Sequence, residues 1–125
     1  MAIEPTPPLL VACLCAAWCN VCTDYRSRFE QVQATLTASH PDARFVWIDI
    51  EDDEALLHPL DVEDFPTLLI ALGDTPYFFG PLTPQAQTLE RMARNAMSAT
   101  TAPGVTDPHV SAAVRRIRAE PQALR

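Results

Sequence analysis

Lysine is absent from this chain of 125 residues; all nine basic side chains are arginine. Chemistry that needs a Schiff-base lysine is therefore closed to it. Sixteen acids against nine arginines leave a net charge of −7, which argues against general nucleic-acid binding. Eight of the acids gather between Asp49 and Asp64 with no arginine among them, the pattern of a solvated acidic face. The apolar run at residues 9–17 is about half the length of a membrane span, so no membrane partner is expected. The run does not read as a secretory leader either. No Lys or Arg precedes it, Glu4 is the only charge before it, and Pro5, Pro7 and Pro8 break up the lead-in. Internal repeats, a second C-x-x-C and paired histidines are also missing. His40, His58 and His109 stand alone, so a closed zinc site lacks an evident donor set, and no metal or other cofactor is expected.

The remaining composition is that of one soluble domain, 48% apolar and 20% charged, long enough to bury a single core. Its centre is Trp18-Cys19-Asn20-Val21-Cys22. The run Leu9 to Ala17 leads into this stretch and reads as a buried strand. Behind it Tyr25, Phe29, Val32 and Leu36 fall at helical spacing, so Cys22 opens an amphipathic helix. Two thiols three residues apart, delivered by a strand to a helix N-terminus, suit thiol–disulfide exchange. The first turn sets both sulfurs on one side, and unpaired N–H groups there favour a thiolate. Cys13 and Cys15 lie upstream at period two, on one face of the strand, and read as small buried hydrophobes. A four-sulfur metal cluster of Cys13, Cys15, Cys19 and Cys22 is the other use open to them. A cytoplasmic location is expected, where a lone C-x-x-C is redox-active rather than a staple.

Taken in order, residues 1–8 form a proline-rich lead-in, followed by a strand at about 9–16 and a helix at about 20–37. Ser39-His40-Pro41-Asp42 is a turn, and Ala43 to Ile50 a second buried strand, parallel to the first because a helix joins them. Glu51 to Leu57 reads as a short helix limited by Pro59. Phe65-Pro66 precedes a third strand, Thr67 to Leu72; Gly73 to Pro76 turn the chain into a return strand with Tyr77-Phe78-Phe79. Thr83-Pro84 is an N-cap and first helical position, opening a helix to about Ser98. A linker, Thr100 to Gly104, leads to a last helix opened by Asp107-Pro108. Its apolar face is Val110, Ala113, Val114 and Ile117, with Arg115, Arg116 and Arg118 turned away. The strand Ala43 to Ile50 should be a sheet edge, which proteins usually cover. Residues 107–119 are expected to pack on this domain or on a second copy, so a homodimer is open.

This order of elements, with Ala17-Trp18-Cys19-Asn20-Val21-Cys22, Asp49 to Glu51, Phe65-Pro66-Thr67 and Gly80 in sequence, resembles the thioredoxin family over roughly residues 9–98. The resemblance implies that Cys19 is the attacking thiol, that Cys22 resolves the mixed disulfide, and that Pro66 is a cis-proline facing them. It also implies that Trp18 flanks the site and that the backbone around Phe65 docks an extended substrate. Cys13 stands where the family usually carries a buried acid, and Trp47 aligns where a lysine often accompanies it. The family's opening strand and helix do not fit into eight residues, so a shortened version of the fold is expected.

The expected fold is therefore α/β and thioredoxin-like: a four-stranded mixed sheet flanked by helices, with residues 1–104 as the domain and 105–125 as a C-terminal helical extension. The expected function is thiol–disulfide oxidoreductase acting on protein disulfides through Cys19 and Cys22, with an external thiol reductant and no cofactor. The rival is a non-catalytic protein-binding module on the same scaffold.

Overall fold

A strand with no charged or amide side chain must be covered on both sides, and Leu9–Cys15 (β1) is buried at every position. The computed structural model, which describes residues 8–16, 18–60, 62–83, 85–98 and 105–119, sets β1 inside a four-stranded sheet. Arg44–Asp49 (β2) runs parallel beside it, with Cys13 opposite Trp47 and Cys15 opposite Asp49. Such a parallel pair requires a crossover, supplied by the helix Asn20–Ser39 (α1). On the other side Thr67–Leu72 (β3) runs antiparallel to β1, and Thr75–Pro81 (β4) returns along β3. Gly73 makes the hairpin turn at φ 57°, a left-handed conformation that glycine adopts without a Cβ clash. Among the described residues three further helices follow: Glu54–Leu57 (α2), Ala86–Ser98 (α3) and Pro108–Ala119 (α4).

Alternation along β1 divides the core into two layers. Leu9, Val11, Cys13 and Cys15 face α1 and α3, meeting Phe29, Val32, Leu36, Leu89 and Ala93. Leu10, Ala12 and Leu14 face the opposite way, toward Leu57, Val110, Val114 and Ile117 of α2 and α4. The outcome is the α/β architecture expected from the sequence, a four-stranded mixed sheet in the order β2-β1-β3-β4 with helices on both faces. Among the described residues no helix is long and apolar enough to cross a membrane.

Several local expectations need adjustment. The strand at 44–49 is a sheet edge, but α4 lies over the second face of the sheet rather than along that edge. The face demanded it, because Leu10, Ala12, Leu14, Val46 and Ile48 leave an apolar surface that the four residues of α2 are too short to cover. Arg116 and Arg118 are not turned away from the protein. Arg116 donates from Nε to Leu56 O and from Nη2 to His58 O, while Arg118 donates to the carbonyls of Gly73 and Pro8. These guanidinium groups tie α4 to the end of α2, to the hairpin turn and to the residue before β1. The helix near Glu51 is confined to 54–57, since Asp49 Oδ1 accepts from the backbone of Glu51 and Asp52 and holds that stretch as a turn. α3 begins at Ala86; the expected first helical residue, Pro84, lies outside the described residues, as do the linker 100–104 and the lead-in 1–7.

Candidate thiol site

β1 ends at Cys15 on the layer facing α1, and the chain then turns within a few residues into that helix. Cys19 N–H donates to Ala16 O at 3.0 Å, closing the turn. Cys19 is the N-cap residue of α1, with extended backbone (φ −90°, ψ 119°), and its side chain makes no capping bond. Its carbonyl instead accepts from Thr23, from N–H at 3.2 Å and from Oγ1 at 3.3 Å. The thiol of Cys19 is thus free and partly exposed. Cys22, in the first turn, points inward and is only 2% exposed.

Inward at this end of α1 means toward the last residue of β1. Cys22 is joined to Cys15 by a disulfide, their Cα atoms 5.9 Å apart and so within the usual span of such a bridge. This differs from the sequence reading, which paired Cys22 with Cys19 and gave Cys15 a packing role only. The physical reason is placement. Cys15 and Cys22 are the buried cysteines that flank the turn, whereas Cys19 sits at its outer rim.

Cys13 lies one pleat deeper, fully buried, with Sγ 3.5 Å from Cys15 Sγ. Burial pushes its thiol pKa well above the usual range, against a weaker opposite pull from the Arg26 charge. Tyr25 is buried over the same spot, and its hydroxyl has no hydrogen-bond partner. Burial, and secondarily Cys13, push its pKa upward too. Trp47, opposite Cys13 on β2, carries the Arg26 guanidinium over its ring at 5.0 Å. Behind the cysteines, then, stand a neutral thiol and a cation–π pair.

On the solvent side Trp18 is 66% exposed and meets Phe65, bringing the turn before α1 against the loop before β3. Cys19 and Phe65 both pack on the layer that holds Cys22. Pro66 is buried at the start of β3, the Phe65–Pro66 bond is cis, and Pro66 O accepts from Leu82 N–H. The His58–Pro59 bond is cis as well. A cleft of about 420 Å³ opens on the flank, lined by Ala16, Cys22, Arg26, Trp47 and Asp49 among others. Among the described residues no group of three or more His, Cys, Asp or Glu is arranged to hold a metal ion.

Sequence reasoning therefore identified the turn, the exposed thiol and the aromatic neighbours, and missed Cys15 as a partner. The overlooked signal is positional: Cys15 is the last strand residue on the face that receives the helix, and Cys22 is the first residue of that helix to point inward.

Comparison with known proteins gives the following. A family model described as Thioredoxin matches residues 2–90. The structure of the germline-specific thioredoxin Deadhead of Drosophila melanogaster superposes with a TM-score of 0.59 at 21% identity, covering 71% of this chain and 81% of that one. Mitochondrial thioredoxin 3 of Saccharomyces cerevisiae, in its oxidized form, gives 0.57 at 20% identity, covering 71% and 79%. Fasciola hepatica thioredoxin gives 0.58 at 19% identity, covering 72% and 82%. No curated protein matches the chain.

Proposed function

The chain belongs to the thioredoxin family, and from that premise we propose that it is a thiol–disulfide oxidoreductase that reduces protein disulfides, with Cys19 attacking and Cys22 resolving. The family fold with a close cysteine pair supports thiol–disulfide chemistry in general. The observation that carries the finer reading is the Cys19 thiol, free, partly exposed and unused as a helix cap, one turn from an inward cysteine.

In this reading the Cys19 thiolate attacks one sulfur of a substrate disulfide and expels the other as a thiolate. Cys22 then attacks the Cys19 sulfur and releases the second substrate thiol. Two electrons pass to the substrate, leaving a protein disulfide that an external thiol reductant reopens. Trp18, Phe65 and Pro66 form the docking side, where an extended segment of the substrate lies beside the backbone before β3. No cofactor enters these steps, and the cytoplasmic thiol pool is the reductant we assign.

Insulin reduction with dithiothreitol as the reductant tests the proposal. The wild type should accelerate B-chain precipitation, and Cys19→Ser should fall to the uncatalysed rate. A Cys19→Ser protein that works at the wild-type rate would overturn it.

A further inference from the structure

Cys15 takes no part in the cycle above, yet its partner is the cysteine that the cycle needs for resolution. We propose that Cys15 is a third redox-active thiol: the oxidised protein isomerises between a Cys19–Cys22 and a Cys15–Cys22 disulfide, and the inner form returns Cys19 to the surface as a free thiol. The route by which oxidation enters rests on the oxidoreductase reading; the inner pair rests on the placement of the sulfurs alone.

The step needs no outside reagent. The Cys15 thiolate attacks the Cys22 sulfur of the Cys19–Cys22 disulfide; the Cys19–Cys22 bond breaks, the Cys15–Cys22 bond forms, and Cys19 leaves as a thiolate. The proton lost by Cys15 ends on Cys19, so atoms, electrons and charge are conserved. One disulfide is present before and after.

Three features of the molecule fit this exchange. First, Cys22 is the sulfur common to both pairs, in the first turn of α1 between the rim residue Cys19 and the strand residue Cys15. Second, the inner bridge closes between two residues that are each 2% exposed or less, whereas the thiol it releases is the partly exposed one. Exchange in this direction puts the uncharged bridge in the core and leaves the polar, ionisable thiol in contact with water. Third, Cys13 Sγ lies 3.5 Å from Cys15 Sγ. Once Cys15 is bridged its sulfur carries no proton, so Cys13, kept protonated by burial, is the weak S–H donor in this contact. The flank cleft is lined by Cys22 and Ala16, so a path for the proton opens beside the pair.

The consequence is chemical. With Cys22 held by Cys15, Cys19 still attacks a disulfide but has no resolving partner, so the reaction stops at the mixed disulfide. The inner form is thus a one-thiol state of a two-thiol protein, entered and left by isomerisation.

Differential alkylation of the full-length wild type reads the two isomers directly. The reduced protein is oxidised with one equivalent of diamide and quenched in acid. Its free thiols are then blocked with N-ethylmaleimide in denaturant, and the remaining cysteines are reduced and labelled with iodoacetamide. Trypsin releases residues 1–26 as one peptide, because Arg26 is the first basic residue, and tandem mass spectrometry assigns a label to each of its four cysteines. The inference predicts maleimide on Cys13 and Cys19 with carbamidomethyl on Cys15 and Cys22 as the major form. In Cys15→Ala the maleimide should disappear from Cys19, since only the outer pair is left; Cys15→Ser serves if the alanine variant does not fold. Wild type with carbamidomethyl on Cys19 and Cys22, and maleimide on Cys15, would overturn the inference while leaving the oxidoreductase reading intact. Carbamidomethyl on Cys15 and Cys22 in a protein that does not reduce insulin would uphold the inner pair and remove the oxidoreductase reading instead.

Discussion

The Trp18 indole meets the Phe65 ring edge-on, with centroids 5.5 Å apart and planes at 86°. The contact links the residue before the exposed thiol to the residue before Pro66 across the mouth of the site, although Trp18 itself stays 66% exposed. An exposed ring held in this way contributes little to the core, and in the proposed function it belongs to the docking side.

Trp18→Ala should therefore lower kcat/KM for a protein disulfide by roughly two- to tenfold, the equivalent of about 0.5–1.5 kcal/mol for an aromatic contact. Tm should hardly move, and reduction of a small soluble disulfide should fall less. Equal losses on insulin and on the small disulfide would place the effect in the cysteines rather than in the docking surface.

Tyr25 offers a test of stability and its pH dependence. Its buried hydroxyl has no partner, so Tyr25→Phe should stabilise the reduced protein by about 1 kcal/mol, the scale of an unmade hydrogen bond. Tyr25 and Cys13 both have folded pKa values raised by burial. Each contribution is complete below the unfolded pKa, near 10 for tyrosine and about 8.5 for cysteine, and is lost as pH rises above it, because only the unfolded chain then releases the proton. Urea unfolding should show wild-type stability falling above about pH 8.5, and more steeply above about pH 10. Tyr25→Phe combined with Cys13→Ala should flatten that decline; an equally steep decline in the double variant would contradict the assignment.

α4 supplies the cover for the second face of the sheet. Ile117 is fully buried there, and Ile117→Ala should cost about 2–5 kcal/mol in denaturant unfolding. Deleting everything after Gly104 should bare Leu10, Ala12, Leu14 and Val46 and produce aggregation or a changed oligomer in light scattering. A truncated chain that is soluble, unchanged in oligomeric state and equally stable would show that the face does not need α4.

The sequence disclosed the frame more readily than the wiring. β1 was legible because a run of seven apolar or sulfur-bearing residues between a proline-rich lead-in and a helical pattern has the length of a strand buried on both faces, and α1 because Tyr25, Phe29, Val32 and Leu36 keep strict helical spacing. The inward stripe of α4 was legible for the same reason, but the reach of Arg116 and Arg118 back to distant carbonyls was not. Long side chains find their partners only once the layers are stacked. Cys15 shows the limit most clearly. Strand periodicity reveals which face it occupies, but its meeting with Cys22 depends on how Ala16 to Cys19 fold the chain back, and no periodicity describes a turn that short. The cation–π pair of Arg26 and Trp47 was hidden likewise, since it joins a helix to the edge strand across the layer.

The most direct test of the central claim is a trapping measurement with Cys22→Ser. Reduced variant mixed with insulin should accumulate a covalent adduct seen as a mass increase under non-reducing conditions, mapped to Cys19 and released by dithiothreitol, while Cys19→Ser should form none. An adduct that forms equally in Cys19→Ser, or that maps to any cysteine other than Cys19, would contradict the account.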